Sequence, residues 1–167
     1  LADTAPHGAR IHLCVYHSRF PLLLRSNIER QLDRLLDRHD EAVLFDDADL
    51  RSILDSCVEP NQIFVVLASP VAEVGRDHDY DWAVIEPSSM RSIIQIAGRV
   101  RRHRLPSAST EANIILLDRN WRDVEGRGSG DVAFRHPGFE SAQFRLNSHR
   151  LSELLLAEDY QPLTSAP

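Results

Sequence analysis

Apolar and polar positions change their period several times along residues 1–119 of the chain. Four runs are rich in apolar and β-branched residues, which is typical of strands: residues 11–16, 63–67, 82–86 and 113–118. Between them, apolar residues recur every three or four positions, which predicts helices over residues 21–38, from 46 to 54, and from 90 into the arginines that follow. This alternation predicts an α/β fold with a mainly parallel sheet and flanking helices. The nearly continuous apolar character of the first strand predicts a sheet that is covered on both faces.

Polar residues mark the starts of two predicted helices. Asp46, Asp47 and Asp49 precede the short helix, and we interpret them as capping residues. Pro87-Ser-Ser89 stands before the helix that carries Met90. In both places, side-chain oxygens are available to accept from the first backbone N–H groups of the helix.

The pattern weakens beyond residue 119. Residues 126–130 are glycine-rich and predict a flexible loop, and residues 161–167 have the composition of a frayed terminus. The leucines at positions 146, 151, 154 and 155 predict a last helix. We therefore predict an entry segment over 1–10, an α/β lobe over 11–119, and a linker with the start of a C-terminal region over 120–167.

Composition is that of an ordinary globular protein. The 167 residues are 43% hydrophobic and 26% charged, which is enough for one domain with a sizeable core. The net charge of -6 argues against a protein that coats nucleic acid with its whole surface, although it permits a local basic strip. We define this basic strip as Arg99, Arg101, Arg102, His103 and Arg104. All 19 basic residues are arginines, so the chain contains no P-loop lysine.

The cysteines and the first residue indicate the redox compartment of the chain and whether it is part of a longer protein. Cys14 and Cys57 are expected to be free thiols, which fits a reducing cytoplasm. No apolar run is long enough to cross a bilayer. The chain begins with Leu1 rather than methionine, so we expect a piece of a longer cytoplasmic protein.

Candidate chemistry concentrates in residues 95–102, which read Gln-x-x-Gly-Arg-x-x-Arg. On a helix, Arg99 and Arg102 would share a face, with Gln95 one turn earlier on the same side. Two forked guanidiniums on one face suit the oxygens of a transferring phosphoryl group. The alternative is a solvated helix end, because arginines are favourable in the last turn of a helix.

Two other polar groups follow predicted strands. His17-Ser-Arg-Phe20 comes directly after the first strand, and a loop over 68–81 begins with Ala68 and Ser69 after the second. This loop contains a Gly-x-Asp at Gly75 and Asp77. Open α/β sheets bind ligands at the carboxyl ends of their strands, so both groups are candidates for binding.

Two adjacent His-Asp pairs are candidate metal ligands, since neighbouring imidazole and carboxylate groups can share a divalent metal. His39-Asp40 ends a predicted helix and His78-Asp79 lies inside the loop over 68–81, whereas HD nuclease sites draw several further ligands from a helical bundle. We therefore predict no metal site. The isolated histidines are interpreted as surface or satisfied core residues: His12, His136 and His149.

Taken in order, the three motifs resemble motifs four, five and six of superfamily 2 helicases, which implies the second RecA-like lobe of a helicase over residues 11–119. Within that superfamily, Val71-Ala-Glu-Val-Gly-Arg-Asp-His-Asp-Tyr-Asp81 looks like the corresponding loop of the CRISPR-associated helicase-nucleases of type I systems. The tail Phe134-Arg-His-Pro-Gly-Phe-Glu140 is similar to the type I-F branch.

The resemblance implies roles for single residues. Arg99 and Arg102 match the arginines that reach the ATP phosphates, with Arg102 the better finger candidate. Gln95 matches the residue that positions ATP and the hydrolytic water, while Gly75 and Asp77 match the motif that touches the ribose. The residues implied to lie along the DNA backbone are His17, Ser18, Arg19, Ala68 and Ser69.

The resemblance also implies an activity for the parent protein. Such proteins use ATP with Mg²⁺ to move three-prime to five-prime along single-stranded DNA, and they feed an attached HD nuclease that holds its own divalent metal. The implied partners are single-stranded DNA, the first RecA-like lobe and nuclease domain of the same chain, the CRISPR surveillance complex, and adaptation proteins or an anti-CRISPR inhibitor. The alternative from another class is a non-catalytic α/β module whose arginines bind nucleic acid or an acidic protein.

Overall fold

A computed structural model describes residues 8–73, 76–104, 112–126, 132–135, 138 and 140–159 of the chain. The contacts divide the chain into two compact units, Leu1–His78 and Asp79–Pro167. Among the described residues, each unit contains one pair of parallel strands, and the two pairs are β1–β2 and β3–β4. The predicted α/β class with parallel strands and flanking helices is therefore confirmed.

The first unit is built on two long parallel strands. Its elements are β1 (Ala9–Tyr16), α1 (Leu22–Leu35), α2 (Glu41–Phe45), α3 (Ala48–Ser56), β2 (Asn61–Ala68) and a 3₁₀-helix (Pro70–Glu73). The register pairs Tyr16 with Ala68, so the two strands end side by side. Polar residues that follow these strands are therefore close neighbours.

One face of β1 is more exposed than the sequence predicted. Ile11, Leu13 and Val15 alternate along the strand and are 36%, 47% and 43% exposed, respectively. Side chains two positions apart lie on the same face, so these three form one open apolar face. The prediction that both faces are covered is wrong for this strand, since these three side chains are partly exposed in this chain.

The second unit is built on a shorter pair. Its elements are β3 (Ala83–Ile85), α4 (Met90–Ala97), β4 (Ile114–Leu116), α5 (Trp121–Val124), α6 (Leu151–Leu154) and a 3₁₀-helix (Ala157–Asp159). Buried Ile85, Ile93 and Ala97 join β3 and α4 into a core, against which Met90 and Leu151 pack. The apolar periodicity of α4 thus fixes which side of that helix faces inward.

The predicted caps are confirmed at both helix starts. Asp47 accepts a hydrogen bond from the backbone N–H of Leu50 at 2.9 Å, and Ser89 accepts from that of Ser92 at 3.2 Å. Cys14 and Cys57 are free thiols, and burial raises the pKa of Cys14. Within the described part of the chain, every helix lacks the length and apolar character needed to cross a membrane.

The last predicted helix is much shorter than the leucine pattern indicated. Leu146 lies outside α6, and its backbone N–H donates to the Glu140 side chain at 2.8 Å instead of to a helical carbonyl. The sequence also missed the short helices α2 and α5, which are too brief to show a period. Most of the predicted glycine-rich loop, residues 127–130, and the predicted frayed end lie outside the described residues.

Candidate functional site

Helix α4 delivers the candidate arginines, but it ends before them. The helix closes at Ala97 with Gly98 as its C-cap, so Gln95 is helical while Arg99 and Arg102 lie beyond the last turn. The prediction that both arginines occupy the later turns of the helix is therefore wrong. They share a segment of irregular backbone rather than a helical face.

The helix ends here because the next residues bond elsewhere. The N–H groups of Arg99 and Val100 reach carbonyls only three positions back, which tightens the final turn. Tyr80 then pairs with Val100: the N–H of Tyr80 donates to the carbonyl of Arg99 at 2.8 Å, and the N–H of Arg101 donates to the carbonyl of Tyr80 at 2.9 Å. A bridge to a residue so distant in the sequence competes successfully with continuation of the helix.

The arginines of this segment differ in exposure. Arg99 is only 6% exposed and Gln95 is half-buried, whereas Arg102 is exposed. Arg104 forms ion pairs with Asp79 and Asp81. The basic strip expected from the sequence is therefore not a continuous row of solvated cations, and Arg102 is the member best placed to reach another molecule.

Asp79 is the residue that organises this segment, although the sequence indicated it only as half of a His-Asp pair and as part of the loop over 68–81. Its carboxylate is fully buried and accepts from the backbone N–H groups of Arg102 and His103, each at 3.1 Å. The guanidinium of Arg104 donates to both carboxylate oxygens, at 2.8 Å from Nη2 to Oδ1 and 3.3 Å from Nε to Oδ2. Four donors therefore converge on one side chain.

These contacts determine the charge state of both partners. Burial alone would raise the pKa of Asp79, but hydrogen bonds from Arg104 and from the backbone of His103 and Arg102 outweigh it and hold the pKa below its ordinary value. Burial would lower the pKa of Arg104, and its bonds to Asp79 and Asp81 instead raise it. The pair is therefore ionised at neutral pH.

The strand-end residues of the first unit do come together. Ser69 follows β2, and its side-chain oxygen accepts the backbone N–H of Ser18 at 3.1 Å, while its own N–H donates to the carbonyl of Tyr16 at 3.0 Å. Arg19 is exposed, and its N–H donates to His17 Nδ1 at 3.0 Å. The predicted DNA-contacting residues thus form one cluster at the carboxyl ends of β1 and β2: His17, Ser18, Arg19, Ala68 and Ser69.

A second ionic cluster joins helix α1 to the residues around Asp77. Arg76 forms ion pairs with Glu29, at 2.6 Å from Nη2 to Oε2, and with Asp33. Buried His78 lies 2.9 Å from Asp33, and the hydroxyl of Tyr16 donates to Glu29 at 2.9 Å. The helical spacing of Glu29 and Asp33 was visible in the sequence, but their partner Arg76, 43 residues after Asp33, was not.

The Gly-x-Asp of the loop over 68–81 is only partly described. Gly75 lies outside the described residues. Asp77 is exposed, and its carboxylate is 3.6 Å from His39 Nε2. The predicted contact of this pair with a ribose therefore stays a prediction.

The two adjacent His-Asp pairs use their side chains separately within the described part of the chain. Asp40 caps α2 by accepting from a backbone N–H of its first turn. In the other pair, His78 contacts Asp33, whereas Asp79 forms its ion pair with Arg104. Neighbours in the sequence thus contribute to different interactions in the folded chain.

Comparison with known proteins identifies relatives of the chain. Residues 1–105 match the family model described as CRISPR-associated nuclease/helicase Cas3, C-terminal. The chain is 60% identical over 157 residues to a protein named CRISPR-associated nuclease/helicase Cas3 subtype I-F/YPEST from Pseudomonas aeruginosa (strain UCBPP-PA14), with 93% of this chain and 14% of that protein covered. A protein of the same name from Pectobacterium atrosepticum (strain SCRI 1043) is 46% identical over 169 residues, with 100% of this chain and 15% of that protein covered.

Among solved structures, the crystal structure of T. fusca Cas3 matches 67% of this chain and 12% of its own, at 19% identity and a TM-score of 0.47. The chain spans only about a seventh of the two curated relatives. The resemblance drawn from the three motifs and the tail is confirmed by the family model and by the subtype I-F relatives. The chain belongs to the CRISPR-associated nuclease/helicase Cas3 family and corresponds to its C-terminal part.

Proposed function

We propose that this chain is part of an ATP-dependent translocase on single-stranded DNA, coupled to a nuclease that degrades invading DNA in type I CRISPR interference. Membership of the Cas3 family and the names of two relatives support this function, and they do not favour the alternative of a non-catalytic interaction module. The observation that carries the proposal is the exposed side chain of Arg102 on a backbone that buried Asp79 holds in place.

In this proposal, Arg102 is the finger that meets the charge developing on the γ-phosphoryl group of ATP. A guanidinium supplied from a second lobe stabilises the transition state more than the bound nucleotide, so its effect falls on turnover. Arg99 and Gln95 support the same site from the end of α4 and the adjoining turn. Asp77 is proposed to face the ribose, together with Gly75.

The polar cluster at the ends of β1 and β2 is the proposed single-strand track. Ser18 and Ser69 provide hydroxyl groups and Arg19 provides a guanidinium, which are groups of the kind that hold phosphates without reading bases. His17 and Ala68 flank them at the same strand ends. One exposed arginine in this cluster fits contact with about one phosphate.

The residues present fit a supporting role toward ATP rather than the main phosphate cradle. The chain has no lysine, so the phosphate-binding lysine belongs to another lobe of the parent protein, and we assign the acidic ligands of Mg²⁺ to that lobe as well. When bound, ATP supplies the phosphoanhydride whose hydrolysis drives movement. The parent is proposed to act in the cytoplasm with a metal-dependent HD nuclease domain, the surveillance complex, and adaptation proteins or an inhibitor.

The test is Arg102→Ala in the full-length parent protein, with exposed Arg91 on α4 as the matched control. DNA-stimulated ATP hydrolysis should fall about a thousandfold or more in Arg102→Ala, less in Arg99→Ala, and hardly at all in Arg91→Ala. DNA affinity and nucleotide affinity should change little in all three. Near-normal DNA-stimulated hydrolysis by Arg102→Ala would contradict the finger role and favour the interaction module.

A further inference from the structure

The anchoring of the arginine segment points to a residue that acts through Arg102. We infer that Asp79 is a positioning residue for ATP hydrolysis: its buried carboxylate fixes the backbone from which Arg102 projects, with Arg104 as the ion that keeps the carboxylate in place. This inference rests on the proposed role of Arg102.

The donors to the Asp79 carboxylate are divided evenly between its two oxygens. Oδ1 accepts from the Arg102 N–H and from Arg104 Nη2, and Oδ2 accepts from the His103 N–H and from Arg104 Nε. Each oxygen thus receives one backbone donor and one guanidinium donor. A carboxylate has the acceptor sites to satisfy all four, whereas an amide of the same shape has one acceptor oxygen.

The backbone from Arg99 to Arg102 needs contacts that hold it in place. Helix α4 has already ended, and Arg101 adopts a φ of 53°, a left-handed conformation that is unfavourable for a residue with a Cβ. Such a conformation persists only where neighbouring contacts hold it. Tyr80 bonds the backbone of Arg99 and Arg101, and Asp79 bonds the next residue, so consecutive residues hold the segment from one side.

A fixed backbone at Arg102 has a consequence for the proposed chemistry. Catalysis by a charged finger requires that its atoms already be in position, since a misplacement of about 1 Å costs on the order of a hundredfold in rate. Arg102 has a long side chain, so the region that its guanidinium can reach depends on where its Cα is held. Burying the charge of Asp79 would cost a large free energy if the carboxylate had no partner. Here the carboxylate is paired and hydrogen-bonded, which offsets that cost.

The experiment compares Asp79→Asn with Asp81→Asn in the full-length parent protein. The control removes the other carboxylate partner of Arg104, which is 56% exposed, without touching the backbone of Arg102. We expect Asp79→Asn to lower kcat for DNA-stimulated hydrolysis about 10- to 100-fold with the KM for ATP nearly unchanged. Asp81→Asn should stay within about threefold of the parent, because exposed ion pairs contribute little.

A second readout separates positioning from simple destabilisation. Affinities are measured for ADP and for ADP with aluminium fluoride, which imitates the transferring phosphoryl group. Asp79→Asn should weaken the aluminium fluoride complex at least about tenfold more than the ADP complex. In an Arg102→Ala background, the same substitution should leave the ratio of the two affinities unchanged. The inference would be overturned if Asp79→Asn changed the ratio of the two affinities in the Arg102→Ala background. It would also be overturned if Asp79→Asn alone weakened both complexes by the same factor.

Two further outcomes keep the inference distinct from the proposed function. If Asp79→Asn does not fold, Arg104→Lys loosens the carboxylate while keeping the charge, and it should give the same loss of kcat without change in KM, at about three- to tenfold. An Arg104→Lys protein with normal kcat overturns the inference. If Arg102→Ala is impaired and Asp79→Asn is not, only the inference fails; if Arg102→Ala is normal, the proposed function fails as well.

Discussion

Glu140→Gln is the substitution whose effect the structure predicts most directly. The Glu140 side chain is fully buried, and its Oε2 accepts from the backbone N–H groups of Ala133 and Phe134 at 3.0 and 2.8 Å. Its Oε1 accepts from the N–H of Leu146 at 2.8 Å and lies 3.0 Å from Nε2 of His149. This carboxylate therefore holds three backbone positions that belong to no helix or strand.

The magnitude follows from what glutamine can accept. Its side chain keeps the shape of glutamate but turns an NH₂ group toward either Ala133 and Phe134 or Leu146 and His149, and His149 Nε2 can accept from it, so one or two backbone donors lose their acceptor. A buried donor left unsatisfied costs about 1–3 kcal/mol, so the local free energy of unfolding should fall by roughly 1–6 kcal/mol. The lower end of this range corresponds to about a fivefold change in the local opening equilibrium.

The assay is amide hydrogen exchange followed by mass spectrometry in the parent protein, which resolves local opening without requiring two-state unfolding of the whole chain. Peptides that contain Phe134 or Leu146 should exchange at least about fivefold faster in Glu140→Gln. Glu153→Gln is the matched control, because Glu153 is 59% exposed and lies 3.9 Å from its nearest arginine atom. Peptides from β1 should be unchanged in both variants.

An acceleration of less than about threefold at Phe134 and Leu146 would refute the reasoning, since it would mean that water or rearrangement satisfies the freed donors at almost no cost. Equal acceleration of amide exchange throughout the second unit would also refute the prediction of local destabilisation. That result would show that Glu140 stabilises the unit as a whole instead of the segment that its carboxylate contacts.

Three further predictions use other groups. The pKa values of Asp79 and Glu140 are held below their ordinary values. The stability that these carboxylates contribute is therefore present above about pH 4 and is lost as the pH falls through their folded-state pKa values. An acid titration of the purified chain by circular dichroism should show this loss of stability, and the loss should depend less steeply on pH in Glu140→Gln. Arg19→Ala in the parent should weaken single-stranded DNA binding and reduce its salt dependence by about one phosphate, with DNA-independent hydrolysis unchanged. The purified chain alone should neither hydrolyse ATP nor bind it tightly, and measurable turnover would contradict the absence of a phosphate-binding lysine.

The strands and helix starts were predictable because their signals are local. The run over 63–67 lies inside β2, and Asp47 and Ser89 cap helices a few residues downstream, within reach of their own side chains. The end of α4 was not predictable in this way. Gly98 is compatible with either an interior or a terminal position, and the choice depends on Tyr80, which meets Val100 only in the folded chain.

The same distinction separates the two candidate sites. The cluster at the ends of β1 and β2 follows from strand order alone, because the carboxyl ends of adjacent parallel strands lie together. The arrangement around Arg102 depends on which acidic residue is buried. Asp79 and Asp81 are neighbours of similar chemistry in the sequence, yet one is fully buried and the other is 56% exposed.

Burial of Asp79 also explains why the number of arginines in the basic strip does not tell how many of them are solvated. A fully buried carboxylate needs a cation and several donors, and here both come from the strip itself, through Arg104 and the backbone of Arg102. One arginine is therefore used inside the protein so that another can be presented outward. Net charge and spacing indicate how many arginines the segment contains, whereas long-range pairing determines which of them is exposed.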